Sequence, residues 1–227
     1  SWGEMRQVLI GTTTMVGSGE AEGFVRNADR QESDLGVGNI DYDTFPIGTS
    51  SDFRTNDCGY DTVPFDSVLD NGCYHAHVAE GVDGAARNEF LCVSSNERGG
   101  NDVTEANAAF VHLVGLVATD AADLALSGTS AIWSPRSNVA LYGDTAPVTL
   151  FANSGVNIAI STDWTASDSM NLARELTCAA YLDDVHYGDY FSDRDLWEMA
   201  TQNGADALKI DGVIGRLEVG LFADIAI

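Results

Sequence analysis

The sequence predicts an α/β fold, a (β/α)8 barrel one βα unit short of closure. Three observations carry this. Short β-rich runs alternate with helical patterns from end to end, as repeated βα units around a parallel sheet require. Two of the strand runs, Ala109-Phe110-Val111-His112-Leu113-Val114 and Val156-Asn157-Ile158-Ala159-Ile160, are strongly apolar, the pattern of strands covered on both faces. Both carry polar residues toward their carboxyl ends, where parallel-strand folds gather reacting groups.

The strand runs lie at 11–16, 24–27, 39–45, 74–79, 109–115, 131–135 and 156–162. Helices are predicted over 84–92, 120–126, 147–154, 169–182 and 193–208. The last opens with Ser192-Asp193-Arg194-Asp195, a serine cap followed by acids whose charge suits the positive end of the helix dipole. Asn203-Gly204 interrupts that pattern late. Residues 1–7 read as the end of a helix, and 48–72 is the longest stretch without clear periodicity. A TIM-type barrel with seven strands exposes an unpaired edge, so the missing strand is expected to precede residue 1. The barrel unit is placed at 1–214, and the finish, 215–227, is expected to open a new strand.

Composition narrows the partners. Eleven basic residues against 35 acidic ones give a formal charge of −24, and Lys209 is the sole lysine. A nucleic-acid backbone or an anionic membrane surface is repelled by such a chain. The same balance suits either a high-salt setting, where screening blunts self-repulsion, or an ordinary solvated acidic surface. No apolar run reaches the roughly 18 residues of a membrane span, and the opening Ser1-Trp2-Gly3-Glu4-Met5-Arg6 lacks a signal-peptide pattern. No Cys-x-x-Cys pair is present, which argues against a structural zinc cluster. Cys58 and Cys73 flank a polar stretch where a loop-closing disulfide suits an exported protein, with free thiols and a cytoplasmic location as the default reading. Cys92 and Cys178 sit in apolar helical patterns and read as small core residues.

The candidate chemistry lies at three strand ends. Tyr74-His75-Ala76-His77-Val78-Ala79-Glu80 supplies His77 and Glu80, the apolar run at 109–115 supplies His112, and Ser161-Thr162-Asp163-Trp164 supplies Asp163. A lone histidine in an apolar strand usually belongs to the core. Two imidazoles and a carboxylate from separate strand ends instead make a mixed nitrogen and oxygen site suited to one divalent metal, zinc first and iron second. Such an ion lowers the pKa of water and polarises the scissile group, leaving a nearby carboxylate to move protons. His75 and His77 share a strand face. His77 is preferred as ligand because Glu80 follows it by three residues, where strand gives way to loop.

The sequence resembles the chlorohydrolase and cytosine-deaminase-like branch of the amidohydrolase superfamily over nearly its whole length. The matching stretches are Gly11-Thr12-Thr13-Thr14, Asp43-Thr44-Phe45-Pro46, His77-Val78-Ala79-Glu80, Trp133-Ser134-Pro135-Arg136-Ser137-Asn138, Ser161-Thr162-Asp163-Trp164, Ser169-Met170-Asn171-Leu172 and Gly220-Leu221-Phe222-Ala223-Asp224. Their order and spacing together carry the likeness. The resemblance implies that His77 ligates the metal and that Glu80 is the proton shuttle. It implies that His112 binds metal or orients the hydrolytic water, and that Asp163 ligates and accepts the water's proton. The Arg136-Ser137-Asn138 loop and Trp164 are expected to line the substrate pocket. The family also takes two ligands from a His-x-His pair on a first strand, expected upstream of residue 1, and builds a small β-sandwich that 215–227 is expected to begin. The implied activity is hydrolysis of a C–N bond in a small nitrogen-rich or heterocyclic substrate. The alternatives are a C–Cl hydrolase on the same scaffold and a truncated, non-catalytic barrel. The expected partner is a small molecule, with a homo-oligomer left open.

Gly36-Val37-Gly38 and Gly17-Ser18-Gly19 lack the third glycine and following helix of a phosphate loop, and read as turns. Ser134 and Ser161 lack the glycine frame of a nucleophile elbow. His186 reads as a surface residue.

Overall fold

The computed structural model describes residues 2–17, 23–29, 35–44, 46, 48, 53–61, 65–69 and 72–226. Ser1, Ser18, Gly19, Phe45, parts of 48–72 and the last residue of 215–227, which enter the readings above, lie outside these residues. In chain order the elements are α1 (Trp2–Val8), β1 (Thr14–Met15), β2 (Arg26–Asn27), β3 (Ile40–Asp43), α2 (Phe65–Leu69), β4 (Cys73–Val78), α3 (Gly84–Val93), β5 (Ala108–His112) and α4 (Ala118–Ser127). There follow β6 (Ser130–Trp133), α5 (Pro135–Tyr142), α6 (Val148–Ser154), β7 (Ile158–Ile160), α7 (Leu172–Leu182), α8 (Asp193–Met199) and α9 (Gln202–Ala207). A π-helical turn, Asp183–Tyr187, extends α7.

Every strand pairing among the described residues is parallel. Strands β3-β4-β5-β6-β7 form one sheet in chain order, and β1-β2 form a separate pair. This is the parallel α/β fold the alternation predicts. The pairings comprise an open five-stranded sheet and a two-stranded one, without ring closure among the described residues.

The helices start and stop where local chemistry says they should. Asp83 caps α3 by accepting from the Ala85 and Ala86 amides at 3.0 and 2.9 Å, and Asn171 caps α7 through Arg174 N. Ser192 and Asp195 form the capping box of α8. Helices α4, α5 and α6 each end on a left-handed glycine, Gly128, Gly143 and Gly155, a backbone state that costs other residues more. After α4 and α6 the chain returns to the sheet as β6 and β7, and after α5 it passes into α6.

Alternation along the strands sorts side chains into two layers. Tyr74, Ala76, Val78, Phe110, Ala131, Trp133, Ile158 and Ile160 pack against the helix residues Phe90, Leu124, Phe151, Ala179 and Leu196. On the opposite face Cys73, Ala109, Val111, Ile132 and Ala159 meet Ala205, Ala207, Ile210 and Ile214. Burial on both faces explains the unbroken apolar runs. No helix among the described residues is long and apolar enough to cross a membrane.

The structure corrects four expectations. The Arg136-Ser137-Asn138 stretch is the first turn of α5 instead of a loop, because Ser134 precedes a proline at the first helical position. The predicted helix 193–208 is two, α8 and α9, broken before Gln202. The disulfide joins Cys58 to Cys92, a separation of 34 residues, and Cys73 is a buried free thiol whose Sγ lies 3.4 Å from Ala207 O. Cys73 sits on the strand face turned away from the loop at 53–61, and Cys92 sits where that loop folds over α3. The run 215–226, expected to open a strand, is irregular, and Asp224 within it pairs with Arg26 at 2.7 Å.

Candidate metal centre

Strand β4 carries His77 on the face shared with Val111 of β5, to which it is registered. Its Nδ1 lies 3.1 Å from the backbone oxygen of Asp43, at the end of β3. A carbonyl oxygen only accepts, so Nδ1 holds the proton and Nε2 is left with its lone pair.

Strand β5 delivers His112 by an irregularity. Register pairs His112 with Val78, so regular backbone would send its ring toward the helices with Val78. Instead His112 has φ 75° and Leu113 φ 55°, left-handed values that are costly without glycine. The imidazole ends 5.2 Å from that of His77, centroid to centroid. Its Nδ1 faces Asn138 Nδ2 at 3.1 Å.

Asp163, three residues past β7, is also left-handed at φ 66°. Its Oδ1 lies 3.8 Å from both His77 Nε2 and His112 Nε2, and its Oδ2 accepts from Ser137 Oγ. One ligand atom from each of His77, His112 and Asp163 falls within 4.8 Å of the others. Zinc bonds of about 2.1 Å at tetrahedral angles hold ligand atoms about 3.4 Å apart, so a small inward shift closes this set on an ion. His112 Nε2 is a buried nitrogen without a hydrogen-bond partner, which fits a site built to face something else. Two imidazole nitrogens and a carboxylate suit a divalent ion of the zinc type.

Glu80 follows the left-handed Ala79, φ 54°. Its Oε2 lies 3.5 Å from His112 Nε2, and its Oε1 accepts from Tyr142 Oη at 2.8 Å. Burial raises the Glu80 pKa against the pull of Tyr142, and the Asp163 charge adds to the rise. Burial acts upward on Asp163 too, but the nearby imidazoles of His77 and His112 and the Ser137 hydroxyl outweigh it and bring the carboxyl down to about 2. Two carboxylates in one cleft are thus pushed apart, one fixed as an anion and one readier to hold a proton. Burial lowers His112 to about 4. His77 is also pulled down by burial, yet its pKa is raised on balance by the Asp163 carboxylate and the Asp43 carbonyl.

His77, Glu80, His112 and Asp163 therefore converge as the sequence predicts. The other candidates distribute differently. Asn138 is buried on His112, Arg136 is exposed with Nε on Ser169 Oγ at 3.0 Å, and Trp164 stands 66% exposed beside Asp163. His75 lies one ring further from the cluster, 6.1 Å from His77, outside the converging set. His186 is exposed in the π-helical turn. Sequence reasoning missed Tyr142, which reaches Glu80 from α5, and Glu89, which reaches the Ala79 backbone from α3, and it gave Ser137 as a pocket residue where the structure sets it on Asp163. The Ser134-Pro135 start of α5 was the available signal for Tyr142.

A parallel α/β protein with a divalent-metal donor set at its strand ends is the class these features define. The chain belongs to the amidohydrolase family, whose model matches residues 70–227. It is 38% identical over 131 residues to a 5-methylthioadenosine/S-adenosylhomocysteine deaminase of Thermococcus kodakarensis, covering 56% of this chain and 29% of that protein. A protein of the same name from Clostridium tetani is 27% identical over 189 residues, 80% of this chain and 43% of its own length. These matches span less than half of the relatives they align with. Among solved structures, an adenosine deaminase from Xanthomonas campestris with bound zinc superposes with a TM-score of 0.56 at 26% identity, over 66% of this chain and 36% of that one. Escherichia coli guanine deaminase shares the fold, with a TM-score of 0.59 at 23% identity over 70% and 37%.

Proposed function

We propose that the protein is a metal-dependent deaminase, hydrolysing the exocyclic C–N bond of a small amino-heterocycle. The class we favour is an aminopurine nucleoside, which the names of the relatives support. The observation that carries this reading is the convergence of His77, His112 and Asp163 within 4.8 Å, with Glu80 3.5 Å from His112. We place the metal-binding unit at 1–214 and treat 215–227 as the start of a separate segment.

His77 and Asp163 would hold the metal, zinc first, through Nε2 and Oδ1. When bound, such an ion polarises the scissile group and brings the pKa of water to about 7. Asp163, kept anionic, accepts a proton. Glu80, whose carboxyl burial raises, is placed to pass a proton to the departing nitrogen. With Asn138 Nδ2 donating to Nδ1, the His112 proton sits on Nε2, where it orients an oxygen in the cleft; with the amide reversed, Nε2 becomes a ligand. Trp164 offers a flat face for stacking a heterocycle.

The test is metal content by mass spectrometry on protein purified without chelator, followed by assay against a panel of amino- and chloro-heterocycles. About one zinc per chain and ammonia release that is lost in Asp163→Asn and Glu80→Gln support the reading. Retained activity in Asp163→Asn, or chloride release in place of ammonia, overturns it.

A further inference from the structure

Glu89 lies on α3, outside the converging set, yet its carboxylate reaches back to the turn that carries Glu80. Its Oε2 accepts from Ala79 N at 2.8 Å, and the Glu80 amide, next in the chain, also faces this carboxylate. Two successive amides directed at one anionic group form a small nest, a concavity that backbone offers to anions. Here the anion belongs to the protein itself. The nest sits at the left-handed Ala79, a non-glycine conformation that persists only where its surroundings hold it.

The helix that supplies Glu89 is itself braced from the other side. Cys92, one turn further along α3, is bonded to Cys58. Asn88 donates to Asp57 O at 2.9 Å and accepts from Arg98 at 3.1 Å. Asp83 fixes the start of the helix. Glu89 is therefore held on a rigid element, while Glu80 sits on irregular chain just past β4. Burial brings the Glu89 carboxyl up to about 7 against the pull of the Ala79 amide, so a buried acid is retained here at a cost.

We propose that Glu89 is a positioning residue for the reaction: by accepting the Ala79 amide, its carboxyl group fixes the left-handed turn that aims Glu80 at His112. This rests on the reading of Glu80 as the proton shuttle. Glu89 is not one of the metal donors, and its hydrogen bond goes to the backbone of Ala79, so its effect runs through the backbone.

The experiment compares Glu89→Ala and Glu89→Gln in the full protein. Glutamine keeps an acceptor oxygen at the same reach, and alanine removes it. Loss of a charge-assisted hydrogen bond predicts a fall in kcat of roughly 10- to 100-fold for Glu89→Ala. KM within about twofold and unchanged metal content should accompany it, with Glu89→Gln restoring kcat to within about threefold of wild type. Hydrogen exchange of the Ala79 and Glu80 amides, read by NMR, should quicken about tenfold or more in Glu89→Ala and stay slow in Glu89→Gln. Unchanged exchange in Glu89→Ala overturns the proposal, as does a glutamine variant as impaired as the alanine one. If the wild-type protein shows no hydrolase activity, the functional reading fails, and the amide exchange still decides whether Glu89 holds this turn.

Discussion

Asn138 Nδ2 lies 3.1 Å from His112 Nδ1, so the orientation of the Asn138 amide sets which nitrogen of the imidazole bears the proton. Asn138 is one of three α5 residues that reach the site. Ser137 donates to Asp163, and Tyr142 donates to Glu80. Positions 138 and 142 lie on one helical face, and 137 lies beside it. One short helix thus holds His112, Asp163 and Glu80 at once.

Replacing Asn138 with aspartate makes the partner an acceptor only. The His112 proton must then move to Nδ1, and Nε2 gains a lone pair facing Asp163. We expect Asn138→Asp to retain metal about 10-fold more tightly against a chelator, in line with outer-shell effects on metal sites, and to lose kcat. Metal affinity equal to wild type, with kcat unchanged, would show that the amide does not set the tautomer.

Tyr142→Phe removes the donor on Glu80 Oε1 without changing shape. A hydrogen bond to an ionisable group is worth about 1.5–3 kcal/mol, so kcat should fall about 10- to 100-fold with KM little changed. Removing the donor also lets burial raise the Glu80 pKa further. Steady-state kinetics on the variant reads the split directly, and a rise in KM alone would move Tyr142 from the proton shuttle to substrate binding.

The Cys58–Cys92 bond fastens the loop at 53–61 to α3, across 34 residues of chain. Closing a loop of that length stabilises a fold by about 4 kcal/mol in the chain-entropy account. Cys58→Ser should therefore lower the unfolding midpoint markedly, and reductant should do the same to wild type while leaving Cys58→Ser unmoved. A wild-type midpoint indifferent to reductant would contradict the pairing.

That pairing was not legible in the sequence, because Cys92 sits in an apolar helical pattern and its partner is decided by how a loop without periodicity folds back. The four converging residues were legible, since His77, Glu80, His112 and Asp163 are polar groups closing apolar strands. What aims them was not. The left-handed backbone at Ala79, His112 and Asp163 leaves no mark on residue type, and none of the three is glycine. Helix α5 was hidden because Arg136-Ser137-Asn138 has weak helical character and its cap signal, Ser134-Pro135, sits at the end of an apolar strand. The alternation of strands and helices read correctly because burial on both sheet faces imposes it. The closing of a ring is a long-range property that no local pattern encodes.

His75 provides a test of stability against pH. Burial brings it down to about 3, with the nearby His77 and His112 adding to the fall, and its Nδ1 has no hydrogen-bond partner. The unfolded histidine titrates near 6.5. Between these values the unfolded chain binds a proton that the folded chain refuses, so stability falls as pH falls from about 6.5 toward 3. His112, lowered to about 4, acts in the same direction. His75→Leu should remove part of this slope, leaving a smaller loss of denaturation midpoint between pH 8 and pH 5 than in wild type. Equal slopes would mean that His75 is charged or solvated in the fold.

Arg6 on α1 clamps the loop that carries Asp163 and Trp164. Its Nη2 lies 3.0 Å from Asp168 Oδ2 and its Nη1 3.4 Å from Asp168 Oδ1, and the side chains are only 11% and 1% exposed. Beside it, Gln7 donates to Thr162 Oγ1 at 3.3 Å and accepts from Leu172 N at 3.1 Å, so α1 grips both ends of the loop. Burial raises the Asp168 pKa even though Arg6 opposes the shift, which says that the pair does not fully offset the cost of desolvation. Arg6→Ala leaves that carboxylate buried and alone, a loss of about 3–5 kcal/mol, whereas Arg6→Leu with Asp168→Leu should recover most of it. Denaturant unfolding of Arg6→Leu, Asp168→Leu and the double variant forms the cycle that measures this coupling. If the clamp also sets the position of Asp163, chelator competition should show weaker metal retention in Arg6→Ala and near-wild-type retention in the double variant. A double variant no more stable than Arg6→Ala would locate the role of Arg6 in its contact with Ser169 O, 3.4 Å away, instead of in the ion pair.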